Sequence, residues 1–261
     1  MGDIKIAVIG SEGFVGKQIC KFFGEVQHYD KYFENRNLGY SKREVNNCDL
    51  AIICLPTEQD KDGSCNTQLV EEAIEWLETS LILIKSTITP GTTDYLKTKY
   101  NKRIVFSPEH CIESSYYNYY WKTIIETPFF IFGGDNKDIQ PIVDEYIKRA
   151  GPEKKYIKTS AKIAEMSKYM VNTTLAARVA LANEYYKICE AASLDWDEVR
   201  ELWLLDPRIE KSHTAVFKDS QGFGGKCFPK DLAGLISYCN EIDIEPILLK
   251  AVNKYKVDNE E

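Results

Sequence analysis

The strongest constraint on the fold lies at the start of the chain. Residues 5–16, KIAVIGSEGFVG, form an apolar run that leads into three glycines, and a helical pattern follows over 14–23. Glycines at such a turn let the backbone bend tightly and approach a phosphate at the first turn of a helix. A strand, a glycine turn and a helix in this order predict the first unit of a dinucleotide-binding fold.

A carboxylate follows at the distance that such a fold requires. Asp30 comes twenty residues after Gly10, where its side chain would accept a hydrogen bond from an adenosine ribose. The same charge would repel a 2′-phosphate, so the sequence predicts NAD rather than NADP. The alternative is a glycine turn without a ligand and a plain surface carboxylate. The loop residues predicted to contact NAD are Gly10, Gly13, Phe14, Val15 and Gly16.

The first half of the chain alternates apolar runs with helical patterns. Strands are predicted at 5–9, 50–54, 81–85, 103–107 and 129–132. Helical stretches between them are predicted at 14–23, 66–77 and 92–99. This alternation predicts an α/β fold, a Rossmann-type doubly wound parallel sheet with helices on both faces.

The pattern changes in the second half. No proline or glycine occurs from 160 to 192, and apolar residues recur there at helical spacing, which predicts one long helix. A second helix is predicted at 196–204 with Asp195 as its N-cap, then a glycine-bearing loop at 206–227 and two closing helical segments. We therefore expect a dinucleotide-binding domain at 1–157 and a mostly helical dimerisation domain at 158–261.

Charge and composition narrow the classes of partner. The net charge of −7 and the pI near 5.2 argue against nucleic acid or an anionic membrane as a partner. The eight cysteines contain no C-x-x-C pair and there are three histidines, so no metal site is predicted. With no long apolar run, we expect a reducing, cytoplasmic setting in which the thiols stay reduced.

Several segments, taken in order, resemble the nucleotide-sugar dehydrogenases of the UDP-glucose/GDP-mannose dehydrogenase family. They cover most of the chain, and the last of them is the most specific. The matching segments are CLPT at 54–57, with Asp62-Gly63 after it, KSTITPGTT at 85–93, SPE at 107–109, AEMSKY at 164–169, DPRI at 206–209 and GFGGKCFPKD at 222–231. Such enzymes use two NAD to oxidise a sugar C6 alcohol to a carboxylate, and the resemblance implies UDP-glucose as the first substrate to expect.

The resemblance assigns Cys227 as the nucleophile. Its thiolate would add to the intermediate aldehyde, the thiohemiacetal would be oxidised to a thioester, and water would release the acid. Lys168 and Asn172, four residues apart and so on one helix face, match an oxyanion-stabilising pair. Asp231 would act with a water and Lys168 as proton acceptor. Without a ligand, the four would be an inert thiol, two surface polar residues and a carboxylate that satisfies a helix dipole.

The resemblance also implies further contacts to the substrate and cofactor. Glu109 matches a glutamate that helps to activate the hydrolytic water, and Glu113 one near the nicotinamide. The remaining matches are Thr57, Thr87 and Lys230 for the cofactor, with Thr87 also in the catalytic set, and Arg208, Phe217 and Gly224 for the substrate. Arg208 matches an arginine that reaches the substrate of the neighbouring subunit. The alternative for Thr57 and Thr87 is that they are ordinary strand-end turn residues.

Departures from the family pattern leave several readings open. The glycine loop has one extra residue, which could place Glu12 near the pyrophosphate, and His110, Cys111 and Ile112 replace more usual Phe-Leu-Arg-like residues. The spacing from Arg208 to Cys227 is also a few residues longer than in the family. We expect a short form that lacks the C-terminal UDP-binding domain, since the pattern stops after 248–256.

Three hypotheses accommodate the short form. It could be a minimal enzyme working as a homodimer through the 160–192 helix, a chain whose missing domain comes from another protein, or a catalytically idle NAD-binding or assembly protein. For an active enzyme, UDP-N-acetylhexosamines and GDP-mannose remain alternatives to UDP-glucose. The related 3-hydroxyisobutyrate and 6-phosphogluconate dehydrogenases use a similar lysine and asparagine for one hydride transfer, but they need no cysteine.

Overall fold

The computed structural model describes residues 4–31, 40–111 and 120–257. The chain divides into two compact units. The first comprises 1–58 and 66–168, and the second comprises 59–65 and 169–261. None of the described helices is both long enough and apolar enough to cross a membrane.

A seven-stranded sheet forms the centre of the first unit. Its strands are β1 (Ile6–Ile9), β2 (Gln27–Tyr29), β3 (Leu50–Ile53), β4 (Leu81–Ile84), β5 (Ile104–Phe106), β6 (Phe129–Gly133) and β7 (Lys155–Thr159). The spatial order is β2-β1-β3-β4-β5-β6-β7. All neighbouring pairs are parallel except β5 and β6, which pair antiparallel at Phe106 and Gly133.

Helices of the first unit lie between these strands in the chain. They are α1 (Phe14–Phe23), α2 (Lys42–Val45), α3 (Gln68–Trp76), α4 (Thr92–Tyr100) and α5 (Asn136–Ala150), with a 3₁₀ turn at Ile124–Glu126. Alternate residues of the central strands enter two separate apolar cores. Ile6 and Val8 pack in the core that α1 and α5 cover, whereas Ala7 and Ile9 pack in the one that α3 and α4 cover. Both faces of the sheet are therefore buried, as its apolar strands require.

Helices dominate the second unit. The long helix α6 (Ala161–Ala191) begins in the first unit and continues into the second, where α7 (Trp196–Trp203), α8 (Phe228–Glu241), α9 (Ile247–Val252) and a 3₁₀ turn at Asn253–Tyr255 follow. Asp195 caps α7, since its side chain accepts a hydrogen bond from the Glu198 N–H at 2.9 Å. Two apolar clusters line α6, one built around Leu232 and the other around Trp196.

The sequence-based fold class is confirmed, and the five predicted strands each lie within a residue or two of an observed one. Among the elements of the described residues, two strands, β2 and β7, and two helices, α2 and α5, were not predicted. The edge strand β7, KYIKT, exposes most of its side chains and so lacks an apolar run. Helix α5 contains Pro141, a residue that sequence reasoning takes as a helix breaker.

Candidate active site

The glycine loop after β1 is shaped by two close backbone approaches. Gly10 has φ +79°, and a Cβ there would lie 2.6 Å from the Cys54 carbonyl oxygen. A Cβ on Gly16 would lie 2.0 Å from the Gly10 oxygen. Gly13 is the N-cap of α1, and within the described residues no side chain caps that helix. A helix N-terminus without a side-chain cap fits the pyrophosphate of a dinucleotide, which would accept hydrogen bonds from its backbone N–H groups.

Asp30 lies just past the end of β2, beside this loop. Its Oδ2 accepts a hydrogen bond from the Glu12 N–H at 3.3 Å. The extra loop residue is thus held by the carboxylate predicted to bind the ribose. The Glu12 side chain is turned towards Lys17, with a Nζ–Oε2 distance of 3.3 Å. The carboxylate of Glu12 is therefore partly neutralised at the surface.

The next two strand ends of the sheet are joined by a hydrogen bond. The Thr57 hydroxyl, which is buried, donates to the Thr87 carbonyl oxygen at 2.7 Å. The Ser86 hydroxyl likewise donates to the Leu55 oxygen at 2.6 Å. These bonds fix the loops after β3 and β4 at the carboxyl edge of the sheet, where ligands bind in folds of this class.

A buried ion pair lies at the same edge. Lys85, 4% exposed, places its Nζ 3.4 Å from Oε2 of Glu109. Burial by itself would raise the pKa of Glu109, but Lys85 and hydrogen bonds from the backbone of Cys111 and His110 outweigh it and lower the pKa to about 2. Glu109 is therefore a carboxylate at neutral pH.

Lys168, on α6, is held against this cluster. Its ammonium donates to the backbone oxygen of Glu109. The neighbouring His110 ring stays neutral, since burial and the Lys168 charge lower the His110 pKa to about 3. Lys168 is half-buried, so its cation is oriented by the protein but not sealed from solvent.

Glu165 lies one turn earlier on α6 and has a structural task. Its two carboxylate oxygens accept from the Gly91 N–H, the Thr93 N–H and the Thr93 hydroxyl. These contacts cap α4, which has no cap from its own N-cap residue, Gly91. Burial raises the Glu165 pKa. Glu165, Lys168 and Asn172 are spaced by three and four residues and so share one face of α6, which serves both the cap of α4 and the candidate site.

In the second unit, Cys227 stands at the N-cap of α8 and is exposed. Gly225 has φ +77°, and an added Cβ would meet no atom within 4 Å, so the space beside Gly225 is open. Gly222, in contrast, packs closely against the backbone, since a Cβ added there would lie 2.2 Å from the Tyr255 carbonyl oxygen. Gly224 lies between them and is half-buried. The glycines therefore provide both a packed anchor and an open approach.

Asp231, in the first turn of α8, accepts hydrogen bonds from two side chains. The Asn172 amide donates to its Oδ2 and the Lys230 ammonium to its Oδ1. Asp231 is 1% exposed. Burial lowers the pKa of Lys230, but the Asp231 charge and its hydrogen bond outweigh this and raise the Lys230 pKa. The structure thus brings together three of the predicted residues beside the helix that starts after Cys227.

Two of the predicted substrate residues in the 206–227 loop, Arg208 and Phe217, are exposed. Arg208 pairs with Asp206, with its Nη2 2.5 Å from Oδ2, and its side chain is 86% exposed. Phe217 is also exposed. Neither is drawn into the Asp231 cluster. Glu113 lies outside the described residues, so its predicted contact stays an expectation.

Comparison with known proteins identifies the family. Residues 29–145 match the UDP-glucose/GDP-mannose dehydrogenase family, NAD binding domain, and residues 162–257 match the central domain of the same family. The chain belongs to this family. The family's NAD binding domain supports NAD as the cofactor, and the glycine loop, bare helix terminus and Asp30 suit it.

Relatives in this family are named for different nucleotide sugars. The UDP-N-acetyl-D-mannosamine dehydrogenase of Methanocaldococcus jannaschii is 36% identical over 191 residues, 70% of this chain and 43% of the relative. The UDP-glucose 6-dehydrogenase of Rickettsia bellii is 29% identical over 241 residues, 85% of this chain and 54% of the relative. The chain thus spans about half the length of these curated relatives.

The fold is shared with solved structures. A UDP-glucose dehydrogenase from the archaeon Pyrobaculum islandicum superposes with a TM-score of 0.82 at 23% identity, covering 97% of this chain and 68% of that one. At this identity the likeness shows the fold alone. It agrees with a Rossmann-type unit followed by a helical one.

Lys85 was not among the predicted site residues, although it begins the KSTITPGTT segment at 85–93. A lysine directly after the buried run LILI was the available signal, because a cation at a buried strand end needs a carboxylate partner. The described residues contain no group of three or more His, Cys, Asp or Glu side chains that could hold a metal ion.

Proposed function

We propose that this chain carries out the NAD-dependent oxidation of a nucleotide sugar from the C6 alcohol to the carboxylate. The balanced reaction is R–CH2OH + 2 NAD⁺ + H2O → R–COO⁻ + 2 NADH + 3 H⁺. UDP-glucose, giving UDP-glucuronate, is the substrate proposed first. A UDP-N-acetylhexosamine is the second candidate, because one of the more similar relatives is named for UDP-N-acetyl-D-mannosamine. GDP-mannose follows from the family's name alone.

One observation carries the proposal. An exposed thiol, Cys227, precedes a helix whose first turn holds a buried carboxylate bound by an amide and an ammonium. A single hydride transfer needs no thiol, whereas a four-electron oxidation needs a nucleophile to hold the aldehyde. Burial raises the pKa of five other cysteines, to about 11 for Cys20, as expected of inert thiols; the other four are Cys48, Cys54, Cys111 and Cys239.

The chain's own groups have defined tasks in this proposal. Asp231, through a water and Lys168, takes the proton of the C6 hydroxyl in the first oxidation. The Cys227 sulfur then forms a bond to the aldehyde carbon, and Lys168 and Asn172 donate hydrogen bonds to the oxygen that gains charge. After the second oxidation, water adds to the thioester carbon and the carbon–sulfur bond breaks, releasing the acid. Glu109 and Thr87 are proposed to contribute to this hydrolysis step.

NAD, when bound, accepts the hydride in each of the two oxidations. Residues of the glycine loop and the N-terminus of α1 would hold its pyrophosphate, and Asp30 its adenosine ribose. Thr57, Thr87 and Lys230 are the further proposed contacts, together with Glu113. The hydrogen bond that Asp30 already accepts from the Glu12 N–H fixes its carboxylate at the loop.

We also propose that the chain forms a homodimer through α6. Exposed apolar side chains recur along one stripe of this helix: Met170, Leu181, Tyr185 and Ile188. Their spacings of 11, 4 and 3 residues place them on a single face. Arg208 and Phe217, exposed in the 206–227 loop, are proposed to reach the substrate, Arg208 that of the partner subunit. Gly224 is proposed to admit the sugar to Cys227.

The test is an incubation of purified protein with NAD and a panel of nucleotide sugars, counting NADH by absorbance against sugar consumed. Two NADH per sugar supports the proposal, and the best substrate identifies the sugar. One NADH per sugar contradicts the four-electron reaction and indicates simple alcohol oxidation. No NADH with any sugar, while NAD still binds in calorimetry, supports the idle protein or one that needs a partner chain. Cys227→Ser, examined in parallel, shows whether any signal depends on the thiol.

A further inference from the structure

We propose that Lys85 is a positioning residue for Lys168, acting through Glu109 and the backbone of the 107–111 loop. The inference rests on the proposed function, since Lys168 is a proposed catalytic group there. It adds a residue to which no role has been given. The chain of contacts runs from a buried ammonium, through a buried carboxylate, to the carbonyl that holds the catalytic amine.

The first link is the environment of the Lys85 ammonium. Its Nζ lies 3.2 Å from the Ser107 hydroxyl, 3.1 Å from the Pro108 oxygen and 3.4 Å from Glu109 Oε2. An ammonium has three N–H donors, and three oxygens of one short loop face them. The side chain is only 3% exposed, so water does not replace these partners. Lys85 therefore ties the end of β4 to the whole 107–109 turn.

The second link is Glu109, whose two oxygens have different tasks. Oε2 faces Lys85, whereas Oε1 accepts from the His110 N–H at 2.9 Å and the Cys111 N–H at 2.8 Å. The carboxylate thus folds the loop back on itself. A group so fully engaged is suited to holding backbone in place, and its retained charge depends on the neighbouring cation.

The third link reaches the catalytic amine. The Glu109 carbonyl oxygen accepts a hydrogen bond from the Lys168 ammonium. The direction of this carbonyl is set by the loop that Lys85 and the Glu109 side chain hold. Loss of the Lys85 charge should therefore change where the Lys168 amine points, although the two lysines share no bond.

The groups facing Glu109 predict how this device responds to pH. Besides the cations of Lys85 and Lys168, four groups surround it that are uncharged near neutrality: the Cys54 thiol, the Tyr146 phenol, the His110 ring and the Cys111 thiol. Lys85 is thus the buried cation paired with the carboxylate. Without it, burial would raise the Glu109 pKa above its present value.

The first experiment measures the melting temperature of Lys85→Met from pH 7 to pH 4. The melting temperature of the variant should be lower than that of wild type at pH 7. The difference between the two melting temperatures should become smaller as the pH falls and Glu109 takes up a proton. Lys85→Met/Glu109→Gln should show a smaller deficit with no such narrowing, since the glutamine oxygen can still accept from the two amides. A deficit of Lys85→Met that is independent of pH would overturn the pairing.

The second experiment follows the Lys168 amine by limited acetylation at pH 8 and peptide mass spectrometry. Lys162, exposed on the same helix, is the internal reference. In Lys85→Met, the acetylation rate of Lys168 relative to Lys162 should rise at least threefold, and Glu109→Gln should raise it less. An unchanged ratio would mean that Lys85 supports the fold without positioning Lys168.

Activity separates this inference from the proposed function. With an active substrate, Lys85→Met should lower kcat at least tenfold and leave the NAD dissociation constant within twofold of wild type. An unchanged kcat overturns the inference alone. If no nucleotide sugar is oxidised by wild type, the proposed function fails, and the acetylation ratio still decides whether Lys85 positions the amine.

Discussion

Two lysine–carboxylate pairs, one in each unit, show how the same chemistry serves different ends. In the first unit, Lys85 and Glu109 lie 3.4 Å apart, and both carboxylate oxygens are committed to protein donors. In the second, Lys230 and Asp231 lie in the first turn of α8, directly after an exposed thiol. The first pair holds a loop, whereas the second stands beside a group that can react.

The difference lies in what surrounds each pair. Backbone amides complete the Glu109 site, and they cannot move without unfolding the loop. A side-chain amide, that of Asn172, completes the Asp231 site and could turn towards a substrate instead. A carboxylate held by side chains at an open helix start is suited to proton transfer, and one held by backbone is suited to architecture. Each prediction below tests one side of this contrast.

The largest effect is expected at the reactive site. Cys227→Ser should lower the rate of carboxylate formation by about 10³-fold or more, because a hydroxyl is a far weaker nucleophile than a thiolate. Steady-state formation of the acid, measured by chromatography, checks this. The control is Cys239→Ser, on the same helix, which should retain activity. Loss of activity in both variants would show that the helix, and not the thiol, is needed.

A smaller loss is expected at the oxyanion pair. Lys168→Met should lower kcat about 10²–10³-fold, the usual cost of removing one donor to a developing charge. The KM for NAD should change little. Lys162→Met, on the same helix, is the matched control. If Lys168→Met raised KM and left kcat intact, the amine would bind substrate without stabilising charge.

The structural role of the Lys85–Glu109 pair should be measurable as a change in the free energy of unfolding in acid. The Glu109 pKa is lowered from 4.5 to about 2, so its ionised form contributes to stability above pH 4.5, and that contribution is lost as the pH falls through about 2. The shift corresponds to about 3 kcal/mol. Between pH 6 and pH 3, Glu109→Gln should therefore lose less unfolding free energy than wild type in urea titrations. Parallel losses in the two proteins would contradict the assigned role.

The smallest effect is expected at the cofactor site. Asp30→Ala should weaken NAD binding about tenfold, because it removes the hydrogen bond between the adenosine ribose and the carboxylate. A tenfold change in the dissociation constant corresponds to about 1.4 kcal/mol. NADP binding should weaken much less, because the repulsion of its 2′-phosphate is removed at the same time. Isothermal titration calorimetry with both nucleotides measures this. The control variant is Asp49→Ala, which removes a carboxylate that lies directly before β3. Equal losses for the two nucleotides would remove the ribose role of Asp30.

The sequence predicted the parts of the molecule that follow from local patterns. Helix α1 and the long helix α6 were located to within a residue, because apolar periodicity and the positions of glycine and proline define them. The strand β7 could not be found this way, since it pairs with β6 through backbone bonds and buries few side chains. Pairing between strands depends on the tertiary structure, and the residue types of a strand do not reveal it.

The candidate site shows the same division. Cys227 and Asp231 could be singled out because a rare segment, GFGGKCFPKD, contains both. The capping of α4 by Glu165, which lies 72 residues from Thr93, could not, because it depends on two distant segments meeting in space. The contact between the Lys168 ammonium and the Glu109 carbonyl is of this kind too. Sequence motifs identify the reactive groups, whereas the groups that hold them in place are identified only from the three-dimensional structure.

The most direct measurement is a single-turnover reaction with NAD and the best nucleotide sugar, stopped in acid at successive times. Peptide mass spectrometry then follows the Cys227 peptide while chromatography follows the acid. We predict a sugar adduct on Cys227 that rises and decays before the acid is complete, with no adduct on Cys239. Acid that accumulates at the wild-type rate in Cys227→Ser, with no adduct at any time in wild type, would contradict the account.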